Sequence, residues 1–270
     1  MKNYEHYPLI EKNITTMWRD EMFTLNISWG GAKGMYACWI LKAIEELDMK
    51  KNIKAVFWVS AWALTWAYWL SWWKAEDIYH KYVESWLFSI KNISLFPMKG
   101  LMKSWIMEKI VKSDMKKKFE QLEKPLYVWA TDLLKWKFIL YSSWELLRPV
   151  IWSLSVPWIF APVEFDWALL ADWWITNNFP IDKAKKLYPN TKQIGILLSK
   201  FKKNQKIENL VEVLQVTYDL LLRGHLSQTF NEADILFYRD LKTGLAESSE
   251  RKMQHLFEMW YQDWIETFSS

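Results

Sequence analysis

Short apolar runs rich in β-formers alternate with longer stretches of helical periodicity through most of the chain. "FTLNIS" (Phe23–Ser28) reads as a buried strand. It runs into the tight "WGGAKG" and then an amphipathic helix from about Met35 to Leu47. "AVFWV" (Ala55–Val59) is a second apolar strand that ends at Ser60, with a helix expected from Ala61. "PLYVWATDL" and "KFILYS" are strand-like and separated by a turn, and "FAPVEFDWALLAD" and "QIGILLS" complete a candidate sheet. Strand, tight loop and helix in repetition predict an α/β fold: a central, mostly parallel sheet flanked by helices. From about Lys206 onward the pattern is mostly helical, as in "IENLVEVLQVTYDLLLRGHLSQTF". No Pro- or Ser-rich linker and no internal repeat divides the chain. A single domain over 1–270 is therefore expected, with a core over about 23–200 and a helical part over about 206–270.

Composition adds an anomaly. The chain has 270 residues, 21 Trp and 7 Gly. At the usual frequency of about 7%, roughly nineteen glycines are expected, so the glycine deficit and the tryptophan excess are of similar size. Otherwise the chain is ordinary for a globular protein, 51% hydrophobic and 24% charged with a net charge of +4. That charge is too small to argue for nucleic-acid binding. Cys38 is the single cysteine, which excludes an intrachain disulfide and fits a reducing compartment. Its setting, "MYACWILKAIEEL", is a buried helix face. The N-terminal segment lacks the apolar run of a signal peptide, and no stretch is long and apolar enough to span a bilayer. A cytoplasmic location is expected, with any membrane contact peripheral. His6, His80, His225 and His255 have no metal-ligand spacing, so neither a metal nor another cofactor is expected.

Ser60 follows a strand and precedes a helix, the setting of a nucleophile elbow, G-x-S-x-G. There the turn is sharp, and the residues two before and two after the serine must be small. Here those positions are Trp58 and Trp62. With Gly at both, "WVSAW" becomes an elbow. The same exchange turns "SWGGAKG" into a Gly-rich loop, "SLSVPWIFAP" into S-L-S-V-P-G-I-F-A-P, and "DWALLADWW" into a segment closed by D-G-G. In this form the chain resembles the patatin-like phospholipase family. That family is marked by a G-G-G-x-[KR]-G loop, the elbow, an S-x-x-x-P-G-x-F segment and a D-G-[GA] triplet. The four motifs occur here in family order between about Phe23 and Pro180. The departure is that Trp29, Trp58, Trp62, Trp66, Trp158, Trp167, Trp173 and Trp174 stand where the family has Gly. An opal codon, UGA, that the host reads as Gly and conceptual translation writes as Trp accounts for this pattern.

The resemblance implies a serine acyl hydrolase that cleaves lipid acyl esters at a membrane or micelle surface. The serine nucleophile would be Ser60, with Asp172 as its base in a dyad that needs no histidine. The loop carrying Trp29, Lys33 and Gly34 would supply oxyanion donors from the backbone N–H groups of Gly30 and Gly31, with Ala32 as a further candidate. Trp173 and Trp174 would complete the acid triplet. Asp166 is close in sequence but precedes the strand rather than the triplet.

Other chemistries are weaker. The Gly-rich loop lacks the G-K-[ST] ending of a P-loop, and no acidic ribose ligand follows at the distance a dinucleotide fold needs. His225 or His255 could complete a Ser–Asp–His order instead of a dyad. If the tryptophans are real, a non-catalytic lipid-binding protein with interfacial aromatics is the alternative. The basic stretch Lys99 to Lys124 suits either a solvated helix face or contact with anionic lipid.

Overall fold

The structure, a computed structural model, describes residues 21–28, 37–58, 62–85, 115–155, 161–172, 179–197, 232–238 and 261–268, with a few isolated positions beyond them. Among the described residues eight strands form one sheet: β1 (Phe23–Ile27), β2 (Ile53–Trp58), β3 (Leu126–Asp132), β4 (Lys137–Tyr141), β5 (Val163–Phe165), β6 (Ala168–Asp172), β7 (Lys192–Leu197) and β8 (Ile235–Tyr238). The helices are α1 (Ala37–Glu46), α2 (Trp62–Trp69), α3 (Ala75–Ser85), α4 (Leu147–Leu154) and α5 (Ile181–Leu187), with helical residues 261–268 near the end of the chain.

The sheet runs β5-β6-β3-β2-β1-β7-β8, with β4 also paired to β3. The pairs β3–β2, β2–β1, β1–β7 and β7–β8 are parallel. Those with β4, β5 and β6 are antiparallel. All five residues of β1 are buried, and in β2 only Lys54 is exposed. Strands covered on both faces read as mostly apolar runs of β-formers, which is why these two were legible even with Thr24 and Asn26 inside β1. "FAPVEFDWALLAD" is a hairpin rather than one strand, because Asp166 and Trp167 turn the chain between β5 and β6. β8 falls inside the stretch expected to be helical. Four residues of "ILFY" give no strand period long enough to outweigh helical neighbours.

One face of the sheet carries α1, α2, α3 and α4. α2 is buried nearly all round, with Ala63, Leu64, Trp66, Ala67, Tyr68 and Trp69 each at most 2% exposed. An apolar helix of this kind belongs at the centre of a layer. Trp264 and Phe268 close the same face over Phe237 of β8. On the opposite face α5 lays Ala184 against Ala55 and Phe57, beside Tyr127 and Tyr188. There β1 and β7 are tied by a buried polar chain. Thr24 Oγ1 donates to Gln193 Oε1 (2.6 Å), and Asn26 Nδ2 donates to Thr24 Oγ1 (3.1 Å). Gly195 beside it makes room for the Phe179 ring, since a Cβ there would lie 2.5 Å from the ring tip and force it to shift.

Two groups generate predictions. Asp132 ends β3 fully buried, and its Oδ1 accepts from the backbone N–H groups of Leu134 (3.0 Å) and Lys135 (3.3 Å). Burial acts to raise its carboxyl pKa, but donation from backbone N–H groups, with the nearby Lys135, holds it below the usual aspartate value. A depressed folded pKa contributes stability above the unfolded value, about 3.9, and loses it as pH falls through the folded value. Asp132→Ala is expected to cost about 1–3 kcal/mol at pH 7. Urea melts should show the difference from the parent chain shrinking below about pH 4.

Cys38 is 2% exposed on α1, and burial pushes its thiol far up. The thiolate is the reactive form, so Cys38 should resist a disulfide reagent at pH 8 in the native protein and react fully in denaturant.

Candidate active site at the meeting of β2 and β6

The sequence places its two candidate catalytic residues more than a hundred positions apart. β3 sets the frame that relates them. Val128 pairs with Trp58 of β2 and with Tyr141 of β4, so β2 and β4 lie on opposite edges of β3. Residues Ala130 to Asp132 pair with both β4 and β6, so those two also lie on opposite edges. β2 and β6 therefore share one edge of β3, β2 along its first half and β6 along its second. β2 runs parallel to β3 and β6 antiparallel, so their C-terminal ends point at each other.

Trp58 is level with Val128, and Asp172 is level with Ala130. Two residues of strand separate these levels, roughly 6.6–6.8 Å. Residues paired directly project to one face, as do residues two apart along a strand. Trp58, Val128, Ala130 and Asp172 thus face the same side, under α2 and α4. Asp172 is 0% exposed. Its backbone N–H donates to Ser155 O (2.9 Å), and Ser155 Oγ donates to Ile151 O of α4 (2.9 Å). Ala130, Trp152 and Leu170 pack beside it.

The end of β1 completes the arrangement. Ile27 pairs with Trp58, and Ser28, fully buried, donates its N–H to Ile196 O (2.9 Å). The segment that leads into the Gly-rich loop therefore leaves the sheet beside the end of β2. Trp58 is fully buried, and its ring lies 5.1 Å from that of Trp66 on α2. Its indole fills the space between the strand end and the helix after it.

Of the predicted site residues, Asp172 and Trp58 are described with their side chains, and Trp62 is the first residue of α2. Ser60, Trp29, Gly30, Gly31, Lys33, Gly34, Trp158, Trp173 and Trp174 lie outside the described residues, as do His225 and His255. The role of Ser155 was missed. The segment containing it was singled out as a motif, but nothing in a linear pattern says that its carbonyl anchors the aspartate. Among the described residues no cluster of His, Cys, Asp or Glu could hold a metal, and no helix is long and apolar enough to cross a membrane.

No family model matches the chain. Among solved structures it is similar to VipD from Legionella pneumophila, with a TM-score of 0.54 at 13% identity, over 92% of this chain and 67% of that one. The type III effector protein ExoU aligns over 77% of this chain and 53% of its own, at 14% identity and a TM-score of 0.33. The first likeness concerns the fold. The mostly parallel, helix-flanked sheet is the patatin-like α/β fold.

Proposed function

We propose that this chain is a serine acyl hydrolase of the patatin-like kind, which cleaves lipid acyl esters through Ser60 and Asp172. The observation that carries the proposal is the end-on approach of β2 and β6 along one edge of β3. Ser60 is two residues beyond Trp58, so covalent geometry keeps its Cα within about 7–8 Å of the end of β2. Asp172 is the last residue of the strand that points at that end. Asp172 is fully buried beneath α4, so its carboxylate is shielded from bulk water at the end of the strand.

The chemistry follows from these roles. Asp172 takes the Ser60 proton as Oγ attacks the ester carbonyl. The oxyanion is met by backbone N–H groups of the loop after β1, with Gly30 and Gly31 as donors beside Trp29, Lys33 and Gly34. Collapse breaks the ester bond, the leaving alcohol takes the proton from Asp172, and an acyl-Ser60 remains. Asp172 then deprotonates a water that attacks the acyl group. The fatty acid leaves, and the proton returns to Ser60. The substrate class is a phospholipid, lysophospholipid or neutral lipid presented at a membrane or micelle surface.

This reading needs small residues at the elbow and the acid triplet. We take the tryptophans at 29, 58, 62, 66, 158, 167, 173 and 174 to be glycines encoded by UGA. At one of these positions the packing supports it: the Trp58 ring, in contact with that of Trp66, occupies the strand–helix gap that an elbow must close.

With Gly at those eight positions, the protein should hydrolyse a short-chain p-nitrophenyl ester and be labelled at Ser60 by a fluorophosphonate. Ser60→Ala should abolish both. Asp172→Asn should lower kcat by about 10²–10⁴-fold, with circular dichroism unchanged. Undiminished turnover in either variant removes the assignment.

Replacing His225 and His255 by Ala should leave most of kcat. A loss near 10⁴-fold, the scale seen when a triad loses a member, would favour a Ser–Asp–His site instead.

A further inference from the structure

Backbone conformation sorts the tryptophans without reference to any motif. Among the described residues six non-glycines have positive φ: Asp48 and Asp166, and Trp72, Trp136, Trp144 and Trp167. Aspartate visits the left-handed region readily because its short side chain bonds locally, whereas a bulky residue there is an outlier. That the remaining residues should all be of one type, and the bulkiest, calls for a common cause.

Each of the four sits where the local structure calls for glycine. Trp72 (φ 105°) lies in the turn that follows α2. Its N–H donates to Trp69 O and that of Trp73 donates to Tyr68 O, both at 3.3 Å. This bond pair is the Schellman motif, and Trp72 holds its left-handed position, usually a glycine. Asp166 and Trp167 (φ 43° and 59°) form the two-residue loop between Phe165 and Ala168. Positive φ at both marks a type I′ turn, for which Asp-Gly is a preferred pair. Trp136 (φ 54°) is the last residue of the loop between β3 and β4. Trp144 (φ 71°) has its N–H bonded to Glu120 Oε1 (2.9 Å) and its carbonyl to Phe119 N–H (3.0 Å), so its backbone is held from both sides.

Their side chains fit the same account. The four are 59%, 90%, 80% and 91% exposed in chain order, and no other described tryptophan is among the exposed large hydrophobics. Lys116 reaches over the Trp72 ring, a solvent-side contact whose loss would open no cavity. Trp69 is the contrast. It is fully buried in a helix, its Nε1 donates to Glu45 Oε1 (2.6 Å), and Lys50 lies over its ring at 4.2 Å.

We infer that positions 72, 136, 144 and 167 are glycines in the protein its own host makes, and that Trp69 is a true tryptophan. The cause rests on the UGA reading given under the proposed function, but the positions rest on the backbone alone. Positions 72, 136 and 144 lie outside every catalytic motif, so this inference and that reading can fail separately.

The test is peptide mapping by mass spectrometry of the protein purified from the host that carries the gene. The expected result is glycine at 72, 136, 144 and 167 and tryptophan at 69. Tryptophan at 72, 136 or 144 alongside glycine at 58 and 62 would overturn the inference and leave the catalytic proposal standing. Glycine at 72, 136, 144 and 167 with tryptophan at 58 and 62 would do the reverse. In the chain as printed, made in a host that reads UGG as Trp, Trp72→Gly and Trp167→Gly should each raise Tm by about 2–4 °C, and Trp69→Gly should lower it. A fall in Tm for the first two would show that their backbones do not require glycine, against the inference.

Discussion

The candidate site depends on one edge of β3. A strand edge offers a single row of backbone donors and acceptors, and here two strands divide it, β2 taking Leu126 to Val128 and β6 taking Ala130 to Asp132. Because hydrogen-bond pairing fixes each partner to a rung, the gap between the two strand ends is set by β3 rather than by the loops after them. Elements positioned in this way hold chemical groups more accurately than loops can. β1 ends on the neighbouring rung, where Ile27 pairs with Trp58, so the ends of β1, β2 and β6 lie within about two residues of one another along the sheet.

What holds β3 in place is packing on both faces. α2 and α4 cover Val128 and Ala130, and Tyr127 faces α5, stacked on Phe57 at 4.5 Å with an interplanar angle of 3°. At its end, Asp132 binds the turn that returns the chain as β4, which protects the other edge. Asp132 and Asp172 are both buried carboxylates near one end of β3, yet they are not equivalent. Asp132 is occupied by the backbone N–H groups of its own turn. Asp172 ends a strand that points at the end of β2.

The tryptophans form two physical populations. Those at 69, 129, 152 and 264 pack as core residues within the helical and strand layers. Those at 72, 136, 144 and 167 stand in solvent on backbones suited to glycine. The second group weighs against interfacial aromatics and a non-catalytic lipid binder, because an anchoring side chain gains nothing from a strained tight turn. Trp58 and Trp66 belong to neither population. Both are fully buried and in ring contact, on backbones that accept any residue, so motif context, with the place of the Trp58 ring between strand and helix, marks them rather than backbone conformation.

The sequence by itself determined the strands β1, β2, β3, β4 and β7, the helices that follow β1 and β2, and the residues worth suspecting. β1, β2 and β7 were legible because a strand covered on both faces is mostly apolar and built of β-formers, the buried polar side chains of β1 and β7 being paired with one another. Ser60 and Asp172 stood out as candidates because the motifs around them appear once Trp is exchanged for Gly. The tertiary structure decided what linear patterns do not encode. β8 is four residues in a stretch whose sequence pattern reads as helical, and it becomes a strand because β7 offers it an open edge. The β5–β6 hairpin exists because two consecutive residues take positive φ, a backbone property that the letters Asp-Trp conceal. The approach of Asp172 to the end of β2 follows from register along β3, which depends on hydrogen bonds between residues distant in the chain.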